Sequence, residues 1–350
     1  MVRLTQINQA TKLPKLPDFA SFHQRRQAGL TLIELLVALV ISAVVIIAAF
    51  SALIVSRQGF TATDSASQLR DNARFLTDHI QRIGVQAGYL DYKFATTPPS
   101  IEATVPEPDV KGFNNALANA TAPTTNFTSR GASSVDGSDV LVLRYQASET
   151  FPGSKVADNA MVNCMGNPAP KLPESRNDRV ANIFHVKVSD IDQEPSLMCT
   201  TMMKNANGVV TIDIQPLIRG VETFQVLYGV DGVTPNTALP ASLTTTANIP
   251  TRYLRADQMV VVGNDNETNR NWGRVRSLLV GMVIRGPAGS VPESVKQTYY
   301  PFGTAPASAG GANGSSMMSA DDIGTKFESP KDNRLRQVVT FVVHLRNGQE

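Results

Sequence analysis

Few side chains in this sequence have the type and spacing for chemistry. Its 350 residues include four histidines, His23, His79, His185 and His344, and two cysteines, Cys164 and Cys199. No H-E-x-x-H, G-x-x-x-x-G-K-[S/T], G-x-S-x-G or C-x-x-C string is present. His185 and His344 have no other histidine, cysteine or acid at ligand spacing. His79 reads as a surface or half-buried helix residue, and His185 and His344 as sheet-surface residues. No catalytic residue, metal site or cofactor site is therefore expected, and no enzyme. The basic group Arg334, Arg336 and Arg346 has only Phe341 as an interleaved aromatic, so it reads as a solvated strand edge rather than a DNA-binding patch. Trp272 reads as a packing residue. Glu34 is different: it is the one charge in a long apolar run, and a carboxylate at mid-bilayer costs about 2.5–3.5 kcal/mol. It calls for a partner.

The element that must position Glu34 is plain in the sequence. From Leu30 to Val55 runs an apolar stretch of about 26 residues; as a helix at 1.5 Å per residue it reaches ~39 Å, enough to cross a ~30 Å hydrocarbon core. Arg3, Lys12, Lys15, Arg25 and Arg26 precede it against the single acid Asp18. That bias keeps the amino end cytoplasmic and exports the rest. A secretory signal has a shorter apolar core closed by small residues, which this run lacks. Lys plus Arg number 32 and Asp plus Glu 30. A chain so nearly balanced is no general polyanion binder. Two cysteines are too few for a Cys-only zinc site or a disulfide-dense scaffold.

Gln27-Ala28-Gly29-Leu30-Thr31-Leu32-Ile33-Glu34 resembles the class III signal of type IV prepilins and of type II secretion pseudopilins. That resemblance implies cleavage after Gly29 by a membrane prepilin peptidase, N-methylation of Leu30 as the new first residue, and Glu34 as the fifth mature residue. Leu30 stands where the family usually has Phe. The physical chemistry of Glu34 agrees: in a fibre core of packed helices, the Leu30 amine of one subunit and the Glu34 carboxylate of its neighbour are tolerable only as a pair. Three further segments are similar to the PilW family of minor pilins: Pro216–Asp231, Trp272–Val280 and Asn333–Asn347. So are Ser56–Phe60, Asp71–Phe75 and Ala87–Tyr89. The resemblance implies a structural, assembly-priming subunit of a type IV pilus, serving twitching motility, adhesion or DNA uptake. It implies as partners the prepilin peptidase, other minor pilins, the major pilin, the inner-membrane assembly platform and the lipid bilayer; direct DNA binding is not expected. The alternatives are a minor pseudopilin of a type II secretion system or a single-pass anchored binding module. The implied location is the inner membrane, head in the periplasm, and later the fibre at the cell surface. In an oxidising periplasm Cys164 and Cys199 can close a loop of about 35 residues, worth roughly 3–4 kcal/mol in the chain-entropy model; two unpaired thiols are the alternative.

The rest of the sequence divides by pattern. Residues 1–29 form the leader, 30–56 the membrane and fibre-core helix, and 57–94 its amphipathic continuation. In that continuation Leu69, Ala73, Leu76, Ile80, Ile83, Ala87 and Leu90 recur at four- and three-residue steps, and Gly59 is a candidate kink. Residues 95–137 are rich in Pro, Ala, Thr and Asn and predict a long irregular loop with a short helix near 114–120. Residues 138–350 predict a β-rich periplasmic head with a flexible insertion at 303–324. Its strands are expected over 139–145, 183–188, 197–203, 209–214, 221–230, 259–262, 275–284 and 338–345, with a hairpin turn at Asn205–Gly208. Strands follow strands without helical crossovers. The expected class is α+β and type IV pilin-like: one long N-terminal helix, then a mostly antiparallel sheet head with long irregular loops.

Overall fold

The structure is a computed structural model and describes residues 29–95, 105–125, 127–129, 137–188, 193–240, 248–303 and 326–347. The leader through residue 28, including His23, and the expected insertion from residue 304 onward lie outside the described residues. The chain divides into two compact units, ending and beginning at Val55 and Ser56. Helix α1 (Leu32–Gln86) is assigned without a break through Gly59. It stops at Gln86, the expected end of the long helix, where Ala87 N donates to Gly84 O. The separate turn of helix α2 (Tyr92–Ala95) follows.

The strands are β1 (Val110–Phe113), β2 (Ala116–Ala118), β3 (Phe127–Ser129), β4 (Val140–Tyr145), β5 (Val180–Val188), β6 (Pro195–Lys204), β7 (Val210–Arg219), β8 (Val221–Val230) and β9 (Arg252–Leu254). Helix α3 (Asp265–Trp272) precedes β10 (Val275–Arg285), β11 (Thr298–Tyr299), β12 (Phe327–Glu328) and β13 (Arg336–His344). Sheet order is β1-β4-β5-β6-β7 in one sheet and β13-β10-β8-β9 in the other, and every described pairing is antiparallel. The architecture is thus α+β, a long apolar helix followed by antiparallel sheets. The hairpin turn forms where expected, with Asn205 N donating to Val209 O at 2.9 Å.

One core joins α1 to both sheets. Leu69, Ala73, Leu76, Ile80 and Ile83 of the helix stripe pack with Leu141, Phe184, Leu197, Phe224, Tyr228, Val280 and Val343. Each fully buried Leu or Ile contributes roughly 1.5–3 kcal/mol. Trp272 packs as expected, edge-on to Tyr228 with centroids 4.7 Å apart. The Gly137–Asp139 segment joins the sheets at their edges. Asp139 N donates to Phe224 O at 2.8 Å, and the Asp139 carboxylate accepts from Val226 N at 2.9 Å and Asn115 N at 3.0 Å. This short stretch serves as the missing neighbour of the first half of β8.

Two expectations are corrected. The described residues of the 95–137 stretch do not form an irregular loop with a helix near 114–120. They carry β1, β2 and β3, and β2–β3 covers the second face of β4 with Ala116, Val140, Val142, Ala181 and Ile183 in a core of their own. Phe113 and Phe127 stack there with centroids 3.6 Å apart. β4 is consequently buried at every position. Residues 259–262 are not a strand. A 3-10 turn (Asp257–Met259) leads into the cap of α3, where Asn264 accepts from Glu267 N at 3.1 Å and Val261 N is taken by Thr268 Oγ1. The valines have β propensity, but the cap claims their backbone groups.

Candidate functional site: the N-terminal turn and the stapled head

Gly29, Leu30 and Thr31 lie outside helix α1 and are exposed, as is Glu34 in its first turn. Thr31 is the N-cap and Glu34 the third helical residue. The Glu34 carboxylate accepts from Thr31 N at 2.9 Å and from Thr31 Oγ1 at 3.0 Å, while Thr31 Oγ1 accepts from Glu34 N at 3.3 Å. This is a reciprocal capping box, which satisfies two helix-end N–H groups that water would otherwise have to serve. The negative charge also sits at the positive end of the helix dipole. The pattern Thr31-x-x-Glu34 was visible in the sequence, but the lone charge drew attention and its capping partner did not.

The other polar side chains of the apolar run are satisfied just as locally. Ser42 Oγ donates to Ala38 O at 2.7 Å and Ser51 Oγ to Ile47 O at 2.9 Å. Such i−4 bonds let a hydroxyl sit in an apolar medium without an external partner. Among the described residues this helix is long and apolar enough to cross a membrane. What the first unit offers chemically is an exposed Gly29–Leu30 peptide bond immediately before the cap, and a carboxylate one turn inside it.

In the second unit Cys164 and Cys199 form a disulfide, Cα to Cα 6.0 Å, both fully buried. Cys199 lies on β6 and Cys164 in the loop before β5, so the bridge staples loop to sheet. His79 is half-buried on α1, with Nε2 2.9 Å from Cys164 O. Burial lowers its pKa, the Cys164 carbonyl opposes that, and Arg82 lowers it further. His344 is exposed on β13 as expected, but His185 is buried rather than on the sheet surface, its Nε2 2.9 Å from Thr200 Oγ1. The hairpin β2–β3 covers the face it was expected to present.

The basic group near the C-terminus is also not a solvated edge. The Arg336 side chain is 1% exposed and the Glu222 side chain 5%, and they pair in two-pronged fashion at 2.5 and 2.9 Å. Asp332 takes the other side of Arg336 at 2.7 Å. Arg285 links Glu222 at 3.1 Å to Glu194 at 2.7 Å, and Arg334 closes on Glu194 at 2.8 Å. Three arginines and three acids tie β8, β10 and β13 to the chain before β6. Arg346 alone of the expected group is exposed. Beside Lys171, Asp178 and Lys204 lies a cavity of about 140 Å³, below the ~300–1,000 Å³ usual for small-molecule sites. Its cations are taken, Lys204 by Asp178 at 2.5 Å and Lys171 by Glu174 at 2.9 Å. Among the described residues no group of three or more His, Cys, Asp or Glu is arranged to hold a metal.

Comparison with known proteins bears on both units. Residues 24–50 match the family model of the prokaryotic N-terminal methylation motif, and residues 183–347 match PilW, the type IV pilus-assembly protein W. The PilW match covers 165 of the 350 residues, just under half of the chain. A solved type IV-like pilin from Thermus thermophilus aligns with 82% of this chain and 98% of its own, at 11% identity and a TM-score of 0.36. No curated protein matches.

Proposed function

We propose that this chain, a type IV pilus minor pilin of the PilW family, is made as a prepilin, cut between Gly29 and Leu30, and N-methylated on Leu30. Its apolar helix then holds it in the inner membrane with the head in the periplasm. With other minor pilins it primes the fibre beneath which the major pilin is added. The observation that carries this reading is the N-terminal methylation match over residues 24–50, which contains the whole Gly29–Glu34 turn. Support comes from the geometry: Gly29 and Leu30 are exposed and lie outside the helix, and every polar side chain of the apolar run is satisfied locally. Such a helix suits lipid first and a bundle of helices afterwards.

After cleavage the Leu30 amine is a cation next to an apolar medium. The Glu34 carboxylate of a neighbouring subunit is its partner in the fibre, and this pairing sets the register of subunit entry. The pilin family is one of structural subunits. The test is N-terminal sequencing of the mature protein from membranes and from sheared fibres. A start at N-methyl-Leu30 is expected. An intact leader on the mature protein would overturn both the processing and the assembly role, and would leave an anchored binding module in their place. Deletion of the gene, with surface pili counted, tests the priming role: a fall in number is expected, and an unchanged count overturns it.

A further inference from the structure

The loop around Cys164 is gripped from three elements at once. From α1, His79 Nε2 meets Cys164 O at 2.9 Å, and Gln86 Oε1 accepts from Val162 N at 3.0 Å. From β5, Asn182 Oδ1 accepts from Cys164 N at 2.8 Å. From β6 comes the covalent bond to Cys199. The His79 ring also stacks on Phe75, centroids 5.4 Å apart, and meets the edge of Phe184 at 6.5 Å. Phe184 is the register partner of Cys199. The disulfide and the histidine that docks the helix therefore converge on one aromatic side chain.

The loop itself is weakly structured by its sequence. It belongs to no named strand, is rich in Asn, Gly and Pro, and holds its shape through Asn163, which accepts from Met165 N and Asn167 N, and through a single bridge from Val162 to Pro168. Such a loop stays in place by closure rather than by periodic hydrogen bonding. Closure here is the disulfide.

We propose that the Cys164–Cys199 disulfide is a redox latch on helix α1: in the oxidised chain the 161–167 loop clasps the last turns of the helix, and reduction releases loop and helix end together while the β13-β10-β8-β9 sheet stays folded. Oxidation joins the two sulfurs and passes two electrons and two protons to a thiol–disulfide oxidant, which leaves as a dithiol; a dithiol or phosphine reductant reverses it. This adds regulation to the proposed function, and only its consequence for assembly rests on that reading: a subunit with a loose helix end is a poor unit for a fibre built from helices.

The experiment is amide hydrogen exchange on the full-length protein in detergent, oxidised against Cys164→Ser/Cys199→Ser. Exchange is expected to rise about 100-fold in residues 161–167 and in residues 76–86 of α1, with β10 changed less than about twofold. Faster exchange in the loop with α1 unchanged would make the bridge a local staple and overturn the latch. A uniform rise across all strands would make it a global stabiliser and overturn it equally. If the variant does not fold, wild-type protein reduced after folding with a phosphine carries the same comparison. Oxidised His79→Ala/Gln86→Ala is expected to loosen residues 76–86 while leaving the disulfide formed. Because exchange is read without cleavage or fibres, an uncleaved leader would sink the pilin role and leave this result standing.

Discussion

Glu34 has two claims on its carboxylate, and their physical chemistry differs. Its own helix offers neutral donors from Thr31 at 2.9 and 3.0 Å. A neighbour's Leu30 amine offers a full charge, which is stronger in an apolar medium. Glu34→Ala is therefore expected to leave cleavage after Gly29 normal and to abolish or strongly reduce surface pili, read by N-terminal sequencing and by electron microscopy of labelled fibres; unchanged piliation would remove the pairing role. A second residue-scale prediction concerns the buried ion network. Arg336→Met leaves Glu222 without its main partner in the core and should destabilise the head by about 3–5 kcal/mol in urea unfolding; a loss under 1 kcal/mol would show that Arg285 alone suffices. A third concerns close approach. A methyl on Gly112 would fall 1.7 Å from the Tyr228 hydroxyl, which among the described residues has no hydrogen-bond partner. Gly112→Ala should cost about 1–3 kcal/mol, whereas Tyr228→Phe should be near neutral because no hydrogen bond is lost. Glu34 was legible as a residue in need of a partner because it is the one charge in an apolar run; that Thr31 in its own turn caps it was not. Arg336 was not, because its partner Glu222 lies 114 residues away and no local pattern announces it.

At the scale of elements, helices were easier to read than short strands. The stripe Leu69, Ala73, Leu76, Ile80 and Ile83 repeats every three or four residues, and all five are buried. Leu76→Ala should cost about 2–5 kcal/mol by thermal or urea unfolding, while Phe75→Ala, one step round the helix and 48% exposed, should cost far less. Equal losses would mean that the helix docks through a different face. β8 is assigned over the expected residues because a ten-residue strand carries enough alternation and β-branched content to be recognised. β2 and β3 have three residues each, too few to show a period. The 259–262 segment misled for the opposite reason: strong propensity, overruled by a helix cap that follows it. The disulfide was legible only as an option, since spacing in sequence says nothing of distance in space.

For the whole molecule, charge and pH follow from the same groups. Residues 1–29 carry five bases and one acid, so the proposed cleavage after Gly29 would turn a formal +2 into −2 before the new amine is counted. The slight basicity of the whole sequence thus lies in its first 29 residues. In the head, the Arg336 hydrogen bond holds the Asp332 carboxyl below its ordinary range. Burial alone would raise Glu194, but Arg285 and Arg334 outweigh it and bring it down. For both, the folded pKa lies below the unfolded one, so their contribution is full above the ordinary carboxylate range and is lost as pH falls through the lower folded values. The urea midpoint should therefore drop between about pH 5 and pH 3, and drop less in Arg336→Met, where Asp332 has already lost its partner. A midpoint flat across that range would show the network to be insensitive to these two acids.

The end of α1 meets β13 and the residues just after it. Gln81 Nε2 donates to Val342 O at 3.2 Å, Asn347 Nδ2 to Val85 O at 2.9 Å, and a methyl on Gly84 would fall 2.4 Å from a Val343 methyl. These contacts span about 260 residues, so the order of synthesis dictates the order of folding. During synthesis the helix appears first and the strand it packs against only about 260 residues later. Until residues 342–347 arrive, the apolar stripe of α1 lacks one wall and β10 has an open edge, the condition that invites mispairing with other chains. A chain that stops short of β13 leaves this wall unbuilt and cannot close on its own helix.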